Sequence, residues 1–463
     1  MVFNAHFKLV DMKIKNIKSI LLLFSLCDIY SCNKLVDLDP PVGQLISSEV
    51  FNNEPTASAA IAGIYRNLRA RFEVQNSIAI LSGLSSDELY NFFTDASLDQ
   101  FTNNNLQENN SNLLPLWSAL YNGIYQTNAA MEGLSISTIA ASSKSQFLGE
   151  AKFLRAFCYF YLVNYFGDVP LLLTTNVNKN AIADRSNKGE VYVQIVQDLK
   201  EAESLLSPTY TFSSNQKIRA NRYAATALLA RVYLYMENWS QAENEASAVI
   251  NSGLYTLTGD LNNTFLSNNS EAILQWGHNS TDINSEPSAF IFSAQPNTLC
   301  TNSLVAAFEN GDQRKSQWIK SGTYLGNTYY YPYKYKIVTG TANEFSVILR
   351  LGEQYLITAE AKARQNKIPA AISDINIIRQ RAGLPTISLG ISQDSCLKVI
   401  MKERRTELFA ECSHRWFDLK RSGEVGNVLE ILKPNNWQGT DALYPIPLAD
   451  LQSNPNLKQN PGY

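Results

Sequence analysis

The stretch RYAATALLARVYLYMENWSQAENEASAVINSG, residues 222–253, leaves this chain few ways to fold. Its first half sets Ala224, Ala227 and Ala230 among Leu228, Val232 and Leu234. Small residues on a helix face let a second helix approach closely, because the interaxial distance follows the side chains at the contact. A turn at 237–239 comes next, and Ser240 with Glu243 three residues on reads as a capping box for a second helix. Ala242, Ala246, Val249 and Ile250 then form the i, i+4, i+7, i+8 stripe of one buried face, closed by Gly253. The spacing predicts two antiparallel helices.

The arrangement returns in LRLGEQYLITAEAKARQNKIPAAISDINIIRQRAGLP, where Ala359 and Ala371 stand twelve apart, as Ala230 and Ala242 do. Pro369 sits where a helix begins, Ala371, Ile375 and Ile378 make the stripe, and Gly383 with Pro385 supplies the stop. Pairs with alanines at these offsets resemble tetratricopeptide repeats, although over a hundred residues separate the two. Further helices are expected around 55–71, 114–133, 146–166 and 190–206. The fold class that follows is mainly α, a tetratricopeptide-like helical scaffold with long loop and short-strand insertions. Residues 256–345 are such an insertion, rich in Asn, Ser, Thr, Gly and Tyr, with alternating pieces EAILQWGH and YYYPYKYKIV that suit strands. FTNNNLQENNSN, residues 101–112, reads as a polar loop, and loops held by a rigid scaffold carry binding.

The N-terminus has its own logic. Ile20 to Leu26 is too short to cross a bilayer, which takes roughly 20 apolar residues. It matches the h-region of an export signal behind Lys13, Lys15 and Lys18, with Met12 as the expected start. Small Ser31 followed by Cys32 suits a bacterial lipoprotein signal, in which the cysteine is lipidated and becomes the new N-terminus. Cys27 competes poorly, because Leu26 before it is bulky. An ordinary secretory cleavage nearby is the alternative. Two acyl chains on Cys32 suffice for stable anchoring. The expected division is therefore 1–31 as upstream extension and signal, 32–215 as N-terminal region and 216–463 as C-terminal region.

Net charge is −3, and loss of Lys8, Lys13, Lys15, Lys18, Asp11 and Asp28 with the leader brings the remainder to about −5. Such a surface offers no footprint for nucleic acid. Cys158, Cys300, Cys396 and Cys412 remain without zinc spacing, and a Cys396–Cys412 bridge is one pairing open to them. Beyond His6, only His278 and His414 are present, too few and too scattered for a histidine-based metal site or a triad. No cofactor is implied.

Four blocks carry a wider resemblance: SCNKLVDLDPP at 31–41, RQRAGLP at 379–385, ERRTELFAECSHRWFDLKRSG at 403–423 and YPIPLADLQSNPNLKQNPGY at 444–463. In this order they resemble the SusD/RagB family of outer-membrane nutrient-binding lipoproteins. The resemblance implies a helical fold that is lipid-anchored on the cell surface. It implies a lid over a SusC-like TonB-dependent β-barrel transporter, one that binds glycans, or peptides in some branches, without cleaving them. Asp37 and Asp39, interrupted by Leu38, partly match the acidic run that directs family members outward.

Ligand positions vary in the family, so the candidates rest on residue type. Flat rings suit the apolar faces of sugars, and a few polar groups fix orientation. LSSDELYNFF offers Asp87, Tyr90, Phe92 and Phe93, and the insertion offers Trp276, Trp318, Tyr324, Tyr329, Tyr330 and Tyr331. Asp87–Glu88 also raises a glycosidase alternative, but that chemistry needs two carboxyls flanking a sugar bond, roughly 5–9.5 Å apart. A repeat scaffold that assembles other proteins is the remaining alternative. HRWFDLKR clusters His414, Arg415, Trp416 and Asp418, yet its helical periodicity turns Trp416 inward, with Arg404, Arg405, Glu407 and Asp418 expected as ion pairs around it.

Overall fold

The computed structural model describes residues 50–463 except 73–76, 279–283, 293 and 341–342. The leader, Cys32, Asp37 and Asp39 lie outside the described residues. Long helices form where apolar residues recur every three to four positions. They are α1 (Glu54–Phe72), α2 (Ile78–Ser85), α3 (Leu113–Ser135), α4 (Ala141–Phe166), α5 (Lys188–Leu205), α6 (Arg222–Tyr235) and α7 (Trp239–Ile250). After the insertion come α8 (Leu351–Arg364), α9 (Ile368–Arg381), α10 (Gln393–Leu408) and α11 (His414–Arg421). The fold is mainly α.

Chain order sets the packing. α3 lies on α4, α4 on α5, α5 on α6, α6 on α7, α7 on α8, and α8 on both α9 and α10. The two alanine-rich pairs thus stack directly although the insertion parts them in sequence. Ala224, Ala227, Ala230, Ala242, Ala246, Ala359 and Ala371 are fully buried at these contacts. Glu243 joins the pairs further, accepting hydrogen bonds from Lys367 Nζ and Gln365 Nε2 at 2.7 Å each. It is therefore no part of a capping box. Asn238, not Ser240, caps α7 through its Oδ1, 3.4 Å from the Gln241 amide. The physical reason is Glu237, whose φ of 58° ends α6 and lets α7 begin at Trp239.

The second half of α4 is apolar on every side, and Phe153 through Phe166 are all buried, as expected of a helix at the centre of a fold. Its one guanidinium, Arg155, is bidentate to Asp198 at 2.7 and 2.8 Å and reaches Asn128 Oδ1 at 2.9 Å. That links α3, α4 and α5.

Beside a two-residue pairing of Val169–Pro170 with Arg185–Ser186, the strands are short antiparallel pairs: β1 (Leu89–Asn91) with β3 (Thr298–Cys300), β2 (Ala272–Trp276) with β6 (Ser346–Arg350), and β4 (Ile319–Tyr324) with β5 (Asn327–Pro332). At the end of β6 begins a buried ionic network. Glu407 accepts from Arg350 Nη1 at 2.6 Å, from Arg314 Nη1 at 3.2 Å and from Arg381, while Arg350 also holds Glu271 and Glu411 at 2.9 Å. Around the fully buried Trp416, Arg404 pairs with Asp418 at 2.8 Å. Arg405 and Glu407 go elsewhere, Arg405 to Asp87 and Glu407 to the network just described. Cys396 and Cys412 are both free and buried. No helix of the described residues is long and apolar enough to cross a membrane.

Candidate functional site

Asp87 and Glu88 precede β1, and both are buried. The Arg415 guanidinium grips Asp87 bidentately at 2.7 and 2.9 Å, and Arg405 Nη2 lies 2.7 Å away. Burial alone would raise the Asp87 carboxyl, but Arg415 and Arg405 outweigh it and hold it below the usual carboxylate range. Glu88 Oε2 accepts from the Ala410 amide at 3.1 Å. Burial pushes its carboxyl up to about 7, against that hydrogen bond and with help from the Asp87 charge. The main chain is pinned too, since Thr301 donates from Oγ1 to the Asp87 carbonyl at 2.6 Å and from its amide to the Glu88 carbonyl at 2.9 Å. The acidic pair is a strut fixing β1 to α10, α11 and β3. It presents no carboxylate to solvent, so the glycosidase alternative loses the residues it named.

What the strut positions is a set of rings. The Phe92 amide donates to the Asn297 carbonyl at 2.9 Å, continuing the β1–β3 pairing beyond the strand. Phe92 then meets Phe93, Tyr324 and Tyr329 with centroids 5.0, 5.7 and 5.1 Å apart, each edge to face. Phe92, Tyr324 and Tyr329 are half-buried, and Phe93 is 44% exposed. Tyr90 stands half-buried alongside, its hydroxyl raised by burial and by the neighbouring Tyr329 hydroxyl. Residues more than two hundred positions apart thus build one open aromatic face.

The hairpin register explains which tyrosines join. Tyr329 faces Gly322, Tyr331 faces Lys320, and Tyr324 faces Asn327, so these six residues share one face. Tyr330, opposite Ser321, lies on the other face and is exposed. Tyr331 shares the face of Tyr329 but is buried, with its centroid 5.3 Å from Phe292. Gly322 makes that possible, because a Cβ there would overlap the Phe292 ring. Phe292 extends the aromatic face, and residue type alone did not select it; its alternation with Phe290 was the available sign. Lys320 Nζ sits 4.6 Å from the Tyr333 centroid, placing a cation at the rim. Leu325 and Gly326 turn the hairpin with φ of 49° and 79°, and Leu325 is 82% exposed.

The tryptophan candidates belong to the interior. Trp276 is 1% exposed, edge-on to Tyr65 and Phe157. Trp318 is 0% exposed, its indole N–H donating to the Leu261 carbonyl at 3.0 Å. Neither offers a face to a ligand, and Asp87 is committed to its arginines. The structure brings together Tyr90, Phe92, Phe93, Tyr324 and Tyr329, and leaves Trp276, Trp318, Tyr330 and Tyr331 out of the open surface they form. Among the described residues no group of three or more His, Cys, Asp or Glu has a metal-holding arrangement.

Residues 45–234 match the family described as starch-binding associating with outer membrane, and residues 279–463 match the SusD family. The chain belongs to the SusD/RagB family. A SusD-like protein of Formosa agariphila is 25% identical, over 97% of this chain and 98% of its own. A SusD superfamily protein from Bacteroides vulgatus superposes with a TM-score of 0.80 at 23% identity, covering 89% of this chain and 100% of its own. A laminarin-binding SusD-like protein superposes at 0.76 with 25% identity and the same coverage. Association with the outer membrane follows from SusD membership.

Proposed function

We propose that the protein is a cell-surface lipoprotein that captures oligosaccharides and delivers them to a SusC-like TonB-dependent transporter, over which it forms the lid. The observation that carries this reading is the open aromatic face of Phe92, Phe93, Tyr324 and Tyr329, supplied by two distant segments and held by a buried ionic strut. Rings of this kind offer large apolar area at little rotamer cost, which matches the C–H faces of a sugar. Family membership and the likeness to a laminarin-binding protein support a glycan as the ligand. Binding is noncovalent, and the protein releases its cargo unchanged.

In this reading Cys32 carries the lipid, the mature chain starts there, and 32–215 and 216–463 form the two regions of one outward-facing scaffold. The test is a binding panel of neutral polysaccharides and of peptides, run on wild type and on a Phe92→Ala, Tyr329→Ala double variant. Binding to a polysaccharide that the double variant loses supports the reading. Binding to peptides alone overturns the glycan assignment. Co-purification of a large β-barrel in mild detergent tests the lid, and protection of the protein from protease added to intact cells would contradict it.

A further inference from the structure

The asparagine-rich loop after helix Ala96–Thr102 takes no part in the aromatic face. It lines a separate cleft of about 570 Å³, within the range of about 300–1,000 Å³ that ligand pockets occupy. Three segments distant in sequence build it: 104–108, 435–441 and the terminal Gly462–Tyr463. Its lining is dominated by amides, among them Asn105, Gln107, Asn435, Asn436 and Gln438. A carboxamide offers two N–H donors and a carbonyl acceptor. An array of them therefore meets groups that both donate and accept, as vicinal hydroxyls do. Glu108 and Asp441 add acceptors without assembling a metal-holding cluster.

The cleft is preformed. Behind the loop, Lys433 Nζ donates to the carbonyls of Leu84 and Ser85 at 2.8 and 3.1 Å and to Asn104 Oδ1 at 2.8 Å. The Asn104 amide in turn donates to the Ser85 carbonyl at 3.1 Å. On the opposite wall Asp441 Oδ2 accepts from the Gln438 amide at 2.6 Å, and the Tyr463 hydroxyl donates to the Leu443 carbonyl at 2.8 Å. Glu108 is tied by Gln459 Nε2 at 3.1 Å. Within this fixed frame the exposed Asn435 side chain has no hydrogen-bond partner among the described residues. These bonds fix the frame that carries the amides before any ligand arrives, which lowers the ordering cost of binding.

We infer that this amide-lined cleft is a second saccharide subsite, reading hydroxyls by hydrogen bonds where the rings read apolar sugar faces. It rests on the proposed glycan-binding function. By chain order Phe92 and Phe93 precede helix Ala96–Thr102 and the loop wall of the cleft follows it, and seven residues make that helix about 10 Å long, a span that one oligosaccharide can cover. A peptide is the less suitable occupant, because the lining offers little apolar surface for its side chains.

The test is affinity electrophoresis of the full chain through gels containing laminarin, starch, xylan or galactomannan, with peptide competitors in parallel. An Asn435→Ala, Asn436→Ala pair alters exposed positions, and an unchanged Tm shows that the fold is intact. Gln107→Ala provides an independent variant on the other wall. The expected result is polysaccharide affinity about three- to tenfold weaker in each, the loss of one or two neutral hydrogen bonds. Wild-type affinity in the cleft variants, with loss only in the Phe92→Ala, Tyr329→Ala variant, overturns this subsite and leaves the proposed function standing. Failure of every polysaccharide to retard the wild type overturns both. Peptide binding that the cleft variants alone lose overturns the saccharide assignment.

Discussion

Glu88 stands one residue before the strand that delivers the rings, and its protonation is set by the fold. Burial raises its carboxyl from an ordinary 4.5 to about 7, and Oε1 has no partner among the described residues, as suits a neutral acid. A group whose folded value is raised stabilises the fold fully below its unfolded value and loses that contribution as pH climbs through the folded one. Between pH 4.5 and about 7 the wild type should therefore lose stability, by about 3 kcal/mol at most. Glu88→Gln keeps an acceptor for the Ala410 amide and cannot ionise. Its melting temperature should exceed that of the wild type at pH 8 and match it near pH 5. Equal pH profiles for the two proteins would show that Glu88 is not the titrating group. Asp87 is the opposite case, a charge that the fold needs. Asp87→Ala removes the buried carboxylate that the partly buried Arg405 and Arg415 share and should cost about 3–5 kcal/mol in denaturant unfolding. In the sequence the two acids look alike, and only the positions of Arg405, Arg415 and Ala410, over three hundred residues away, separate their roles.

Among the elements, the β4–β5 hairpin gives the sharpest tests. Leu325 occupies the left-handed region in a two-residue turn that Asn or Gly adopts more readily. Leu325→Asn should stabilise the hairpin by about 1 kcal/mol, seen as slower amide exchange across Thr323 and Thr328. Gly322→Val would drive a side chain into the Phe292 ring and disturb the face that carries Tyr329. We expect at least tenfold weaker glycan binding with a small change in Tm, and unchanged binding would remove the hairpin from the site. The alternation of the tyrosine run made the strand readable, but not which tyrosine faced outward. That depends on register and on Phe292, which comes from elsewhere in the insertion. Trp276 misled for a related reason: all five residues of β2 are buried, so period-two alternation carried no inside–outside information there. The helix pairs were legible because their alanines repeat at a fixed offset and pack locally. The cap of α7 was not, since Asn238 and Ser240 are both good caps and the left-handed Glu237 decided between them.

At the scale of the molecule, helices that are neighbours in the chain are neighbours in space, and the insertion is accommodated by stacking α8 directly on α7. The ionic network beside it had no sequence signature, because its members come from five separate segments. Burial opposes the charge on Glu407, but Arg381, Arg350 and Arg314 outweigh it and hold its carboxyl well below 4.5. A depressed carboxylate contributes above its unfolded value and loses that contribution as pH falls. Acid should therefore weaken the fold progressively below about pH 4.5, and Glu407→Ala, which takes one carboxylate partner from each of three buried guanidiniums, should unfold at lower denaturant even at pH 7. A wild-type denaturation midpoint in that variant would show the network to be energetically idle.

The proposed surface for sugar depends on two distant segments meeting at Phe92 and Tyr329. Affinity electrophoresis of wild type beside the Phe92→Ala, Tyr329→Ala variant addresses it most directly. At least one neutral polysaccharide should retard the wild type, with affinity at least tenfold weaker in the variant at unchanged Tm. Equal retardation of the two proteins would contradict it.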